Sequence, residues 1–184
     1  MQPLFVINNF GQFNHLIHRM LRDLDIEVKM IPNTTSPSEV EEGCRGIILG
    51  GGPSIDRIGR CADYLELGLP VLGICLGHQL IAQSFGGEIG PGESGGYGGL
   101  NVTIQNHSSI LKGYPETIHV WASHADEVKR APEGFEILAT SSICKVEAMG
   151  CNKKRIYGLQ WHPEVSHTED GYLIYESFSR ICTE

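Results

Sequence analysis

Apolar residues along this chain arrive in two rhythms. Leu4-Phe5-Val6-Ile7 is an unbroken apolar run of the kind a strand buried on both faces shows. From Gln12 to Leu24 the spacing changes: Phe13, Leu16, Ile17, Met20, Leu21 and Leu24 share one helical face. Ile26 to Ile31 reads as a second strand, closed by Pro32-Asn33. Ser36-Pro37-Ser38-Glu39 then carries the N-cap, first-turn proline and acidic residue of a short helix. Gly46-Ile47-Ile48-Leu49 is a third apolar strand, broken by Gly50-Gly51-Gly52-Pro53. After a short helix around Ala62 to Leu67, Pro70 to Ile74 forms a fourth strand running straight into Cys75, with a helix predicted from Leu76 to Phe85.

Beyond Tyr97 short strands separated by turns take over: Leu100 to Gln105, Thr117 to Trp121, Phe135 to Thr140, Lys145 to Met149 and Arg155 to Gln160. Gly95-Gly96-Tyr97-Gly98-Gly99 reads as a mobile loop, and a last helix covers Asp170 to Ile181. Strands alternating with helices predict an α/β fold, with a mostly parallel central sheet flanked by helices and added antiparallel strands in the second half. No repeat or linker interrupts the pattern, so residues 1–184 are expected to form one domain.

Charge and cysteine usage narrow the chemistry. A net charge of −8 disfavours nucleic acid and anionic membranes as partners. No apolar run approaches the roughly 18 residues that cross a bilayer, and the N-terminus lacks the basic region of a signal peptide. The six cysteines are scattered without a Cys-x-x-Cys pair, which favours free thiols in a reducing, cytoplasmic setting over disulfides or zinc.

One cysteine stands apart. Gly73-Ile74-Cys75-Leu76-Gly77 lies at a strand-to-helix junction, the cysteine form of a nucleophile elbow. A thiol at a helix N-terminus feels the positive end of the helix dipole, which favours thiolate. Taken alone, Cys75 reads equally well as a buried structural thiol. Trp161-His162-Pro163-Glu164 alters the balance: in extended chain residues two apart share a face, so Glu164 can orient His162 as an acid/base.

Attack on an amide carbonyl creates an oxyanion, which needs backbone N–H donors. Leu76, following the nucleophile, and Gly52, in the turn after the third strand, are the candidates. As a phosphate cradle, Gly50-Gly51-Gly52-Pro53-Ser54 lacks the Gly-Lys-Ser/Thr ending of a P-loop.

With Gly-Ile-Cys-Leu-Gly-His-Gln at 73–79, Gly-Gly-Gly-Pro at 50–53 and His-Pro-Glu at 162–164, the chain resembles the class I (triad) glutamine amidotransferases over nearly its whole length. The resemblance implies glutamine as substrate, Cys75 as nucleophile, His162 as acid/base, Glu164 as its orienter, Gly52 and Leu76 as oxyanion donors, and Gln79 as a glutamine-binding residue. Trp121 to Val128, Asn9 to Gln12 and His162 to Thr168 look most like the branch that serves as glutaminase subunits of GMP synthetase. This likeness suggests that Ser123, His124 and Asp126 border the glutamine pocket or the ammonia exit. The bland reading of His124 and Asp126 is a capped strand turn.

The same likeness implies a separate ATP-pyrophosphatase subunit that uses ATP and Mg, with no cofactor or metal in this chain. No Ser-Gly-Gly-x-Asp-Ser loop occurs here to supply that activity. The alternatives are a subunit serving another product such as anthranilate, a stand-alone gamma-glutamyl cysteine hydrolase, and a non-catalytic binding module. His15 and His18, three apart, mimic a metal pair but read as a solvated helix face.

Overall fold

The computed structural model describes residues 1–93 and 96–184. Its strands are β1 (Leu4–Asn8), β2 (Val28–Pro32), β3 (Gly46–Leu49), β4 (Val71–Ile74), β5 (Glu88–Ile104), β6 (Thr117–Arg130), β7 (Glu136–Ser141), β8 (Ala148–Cys151) and β9 (Ile156–Leu159). Its helices are α1 (Asn14–Asp23), α2 (Pro37–Gly43), α3 (Cys61–Tyr64), α4 (Leu76–Ser84) and α5 (Tyr172–Ile181). The strands form one mixed sheet in the order β2-β1-β3-β4-β9-β8-β7-β5-β6. The first five in that order run parallel, and the rest extend the sheet antiparallel from β9.

The parallel half is built by period-two burial. Leu4, Val6, Ile48, Leu72 and Ile74 project to one face, where Ile17 and Leu21 of α1 and Ile174 and Phe178 of α5 cover them. Phe5, Ile7, Ile47, Leu49 and Val71 project to the other, against Val40, Tyr64, Leu80 and Ile81 of the remaining helices. Each such fully buried aliphatic side chain contributes about 1.5–3 kcal/mol, so the layered order follows from the apolar runs themselves. The Ser36 start also holds: its Oγ accepts from the Glu39 N–H at 3.4 Å and donates to the Glu39 carboxylate at 2.7 Å, with Pro37 opening α2.

Two strands run longer than the sequence predicts. β5 begins at Glu88 instead of Leu100, and β6 continues past Trp121 to Arg130. The expectation of a mobile loop at 95–99 is corrected for Gly96 to Gly99, which pair residue by residue with His124 to Trp121; Gly95 lies outside the described residues. A Cβ on Gly96 would sit 2.4 Å from the His124 ring, and one on Gly99 2.5 Å from His119. These glycines serve close approach to cross-strand imidazoles rather than conformational freedom.

Candidate active site

β4 and α4 meet at Cys75 with no linker between them. Cys75 has φ 54 and ψ −101, a left-handed backbone that a non-glycine residue holds at a cost of about 1–3 kcal/mol. Its neighbours explain how so sharp a turn packs. A Cβ on Gly73 would lie 2.5 Å from the Gly77 carbonyl, and one on Gly77 2.3 Å from the Leu49 carbonyl oxygen. The elbow is held to β9 by the Cys75 N–H, which donates to the Leu159 carbonyl at 2.8 Å.

His162 follows β9 and reaches the same place from the next strand. Its Nδ1 is 2.7 Å from Glu164 Oε1, and its ring borders the same cavity as Cys75. Burial pulls the imidazolium down, but the Glu164 charge, the hydrogen bond to Glu164 and the neighbouring Cys75 outweigh it, so His162 titrates above its ordinary value. The second Glu164 oxygen accepts from the Tyr175 hydroxyl of α5 at 3.4 Å. Thr168 donates to the His162 carbonyl at 2.6 Å and accepts from the Trp121 N–H at 3.0 Å, and the His162 N–H donates to the Trp121 carbonyl at 2.9 Å. Phe13 stands edge-on to the imidazole with ring centres 5.0 Å apart. His162 is thus fixed in backbone, tautomer and plane.

The glycine turn after β3 closes the opposite side. Asn9 donates to the Gly50 carbonyl at 3.3 Å and Asn14 to the Gly51 carbonyl at 3.1 Å. In a trans peptide the carbonyl and the next N–H point in opposite directions, so the Gly52 N–H faces away from Asn14. Among the described residues neither this N–H nor that of Leu76 finds an acceptor in the chain. Gly51 lies between Cys75 and His162: a Cβ there would be 3.3 Å from His162 Cε1 and 3.8 Å from Cys75 Cβ.

Cys75, His162, Gly52 and Leu76 line one cavity of about 600 Å³, together with Gln79, Ser123, His124 and Asp126. Glu164 sits behind His162, 4% exposed, where an orienting carboxylate belongs. The Ser123 carbonyl accepts from Cys75 Sγ at 3.6 Å. His124 Nδ1 faces the Asp126 carbonyl at 2.8 Å, so it carries the proton and leaves Nε2 as a buried acceptor without a partner. Burial lowers the His124 pKa and keeps the ring neutral. Neither His124 nor Asp126 closes a turn, for both lie within β6. Asp126 contributes its carbonyl to the wall while its side chain is exposed.

Sequence reasoning passed over Asn9 and Asn14 as holders of the glycine turn, Thr168 and Tyr175 behind His162, and Gln160 beside Cys75. Only register could have signalled Gln160: Ile74 pairs with Leu159, which makes residues 75 and 160 neighbours across the sheet. All six cysteines are free, and no helix among the described residues is long and apolar enough to cross a membrane.

The family model described as Glutamine amidotransferase class-I matches residues 5–181. A protein of Methanoregula boonei, named as a subunit of glutamine-hydrolyzing GMP synthase, is 65% identical over 184 residues, covering 100% of both chains. Its namesake from Archaeoglobus fulgidus is 54% identical over 180 residues, covering 97% of this chain and 98% of its own. A crystal structure from Thermoplasma acidophilum, described as that of a GMP synthase subunit, superimposes with a TM-score of 0.94 at 34% identity, covering 100% of this chain and 94% of that one.

Proposed function

The chain belongs to the class-I glutamine amidotransferases, and on that premise we propose that it is the glutaminase subunit of a two-subunit GMP synthetase. The observation that carries the chemistry is the 2.7 Å His162–Glu164 pair facing the Cys75 elbow across one cavity. In this reading the Cys75 sulfur attacks the carboxamide carbon of glutamine and its proton passes to His162. The oxygen gains negative charge against the Gly52 and Leu76 N–H groups. His162 returns the proton to the departing nitrogen, the carbon–nitrogen bond breaks, and ammonia leaves a glutamyl thioester. Water deprotonated by His162 then cleaves the carbon–sulfur bond and releases glutamate. Gln79, Ser123, His124 and Asp126 form the wall that holds the substrate.

The relatives' shared name supports the finer assignment, in which ammonia passes to a separate ATP-pyrophosphatase subunit using ATP and Mg to aminate XMP. Nothing favours the anthranilate or stand-alone readings. The test is Cys75→Ala assayed in the assembled synthetase. Glutamine-dependent synthesis should vanish while synthesis from ammonium salt persists, and Glu164→Gln should be milder because an orienter does not form the bond. Continued use of glutamine by Cys75→Ala would refute the triad.

A further inference from the structure

Gln160 is fully buried at the end of β9, beside Cys75 in the parallel register. Its Nε2 lies 3.8 Å from Cys75 Sγ, and its Oε1 accepts from Gln79 Nε2 at 3.4 Å. Gln79 Nε2 also donates to the Asp126 carbonyl at 2.8 Å. That last contact sets the polarity of the whole chain. A backbone carbonyl only accepts, so the nitrogen of Gln79 must face Asp126. The same NH₂ group supplies the hydrogen for Gln160, which obliges the oxygen of Gln160 to face Gln79 and its nitrogen to face the sulfur. The direction of both amides therefore follows from one fixed acceptor.

We propose that Gln160 is a further catalytic residue, donating its amide N–H to the Cys75 sulfur and so stabilising the thiolate that attacks glutamine. The inference rests on the triad reading above and adds to it a second donor, an uncharged amide fixed on the strand beside the elbow. Two contacts at the sulfur oppose each other. The Ser123 carbonyl, at 3.6 Å, receives the S–H and favours the neutral thiol. The Gln160 N–H can only donate, and so favours the anion. Removing Gln160 takes away the amide that opposes Ser123 at the sulfur. The arrangement also leaves Gln79 Oε1 as that side chain's free group at the cavity, an acceptor suited to a substrate N–H.

The test is the rate of iodoacetamide modification at Cys75, followed peptide by peptide from about pH 5 to about pH 9, where thiolate formation governs the rate. The proteins compared are wild type, Gln160→Leu and Gln160→Glu. The titratable groups that share the cavity with the sulfur are Asp56, Tyr97, His124, Asp126 and His162, with Glu164 behind His162, all unchanged in the variants. Gln160→Leu should slow alkylation at neutral pH about tenfold yet reach the wild-type plateau at high pH, as loss of one hydrogen bond to a charged group implies. Gln160→Glu should slow it more, through repulsion. Thermal melting checks folding, with Gln160→Met as the replacement if the leucine variant does not fold. A leucine or methionine profile that superimposes on wild type, or one lowered equally at every pH, overturns the proposal. Retained glutamine hydrolysis by Cys75→Ala would instead sink the triad reading, while the alkylation profile still decides the role of Gln160.

Discussion

Glu147 shows what burial does to a single carboxyl group. It is wholly buried just before β8, with the Ser141 hydroxyl donating to Oε1 at 2.6 Å and Oε2 without a partner. Burial, opposed by that hydroxyl and reinforced by the charge of Glu127, pushes its pKa up from 4.5 to about 7. The folded protein therefore holds this proton over a range where the unfolded chain has lost it. Its contribution to stability is fully present below about pH 4.5, falls as pH rises to about 7, and is absent above that. Glu147→Gln, neutral at every pH, should match wild type near pH 5 and exceed it at pH 8 by at most about 3 kcal/mol in urea unfolding. Parallel stability curves for the two proteins would contradict the assignment. Residues of this kind are illegible in sequence, because a glutamate between Val146 and Ala148 looks like any strand glutamate until the chain closes over it. The grouping of Cys75, His162 and Glu164 was legible because their spacing and their order along the chain suggest it directly.

At the scale of elements, the site is two turns facing each other. The elbow between β4 and α4 presents the sulfur, and the turn after β3 presents the Gly52 N–H. The second turn tolerates no side chain at its tip: a Cβ on Gly52 would sit 2.2 Å from the Asn9 carbonyl oxygen and 2.8 Å from Leu76 Cδ2. Gly52→Ala must therefore push the turn away from Cys75. Its kcat for glutamine should fall by about 10²–10³, the effect of losing one oxyanion donor, while the melting temperature drops only modestly. Wild-type kcat in that variant would remove Gly52 from the site. The turn was visible in the sequence as Gly50-Gly51-Gly52-Pro53, but its anchoring by Asn9 and Asn14 was not, since those side chains reach it from the end of β1 and from α1. Gly96 and Gly99 of β5 misled in the other direction, whereas Gly98, with φ 103 and open space around it, does use glycine's freedom. Glycine marks both freedom and crowding, and only the imidazoles of β6 opposite them decide which.

At the scale of the molecule, the cavity opens between the parallel sheet and the β5–β6 extension, with two aromatic side chains at its rim. Phe10 is 54% exposed beneath the Arg57 guanidinium, and Tyr97 is 68% exposed, although both line the cavity. This rim, rather than a mobile glycine loop, motivates coupling to a second subunit. Glutamate release should be slow alone and rise when the nucleotide-loaded ATP-pyrophosphatase subunit is added; equal rates would reject the coupling. By itself the sequence determined the layered α/β arrangement and pointed to the Cys75, His162 and Glu164 constellation, because buried strands need apolar runs and the elbow needs its glycines. Only the tertiary structure decided the extent of β5 and β6, the holders of the glycine turn and the place of Gln160 beside the sulfur. Those depend on pairing between residues far apart in the chain, and cross-strand register leaves no local pattern to read.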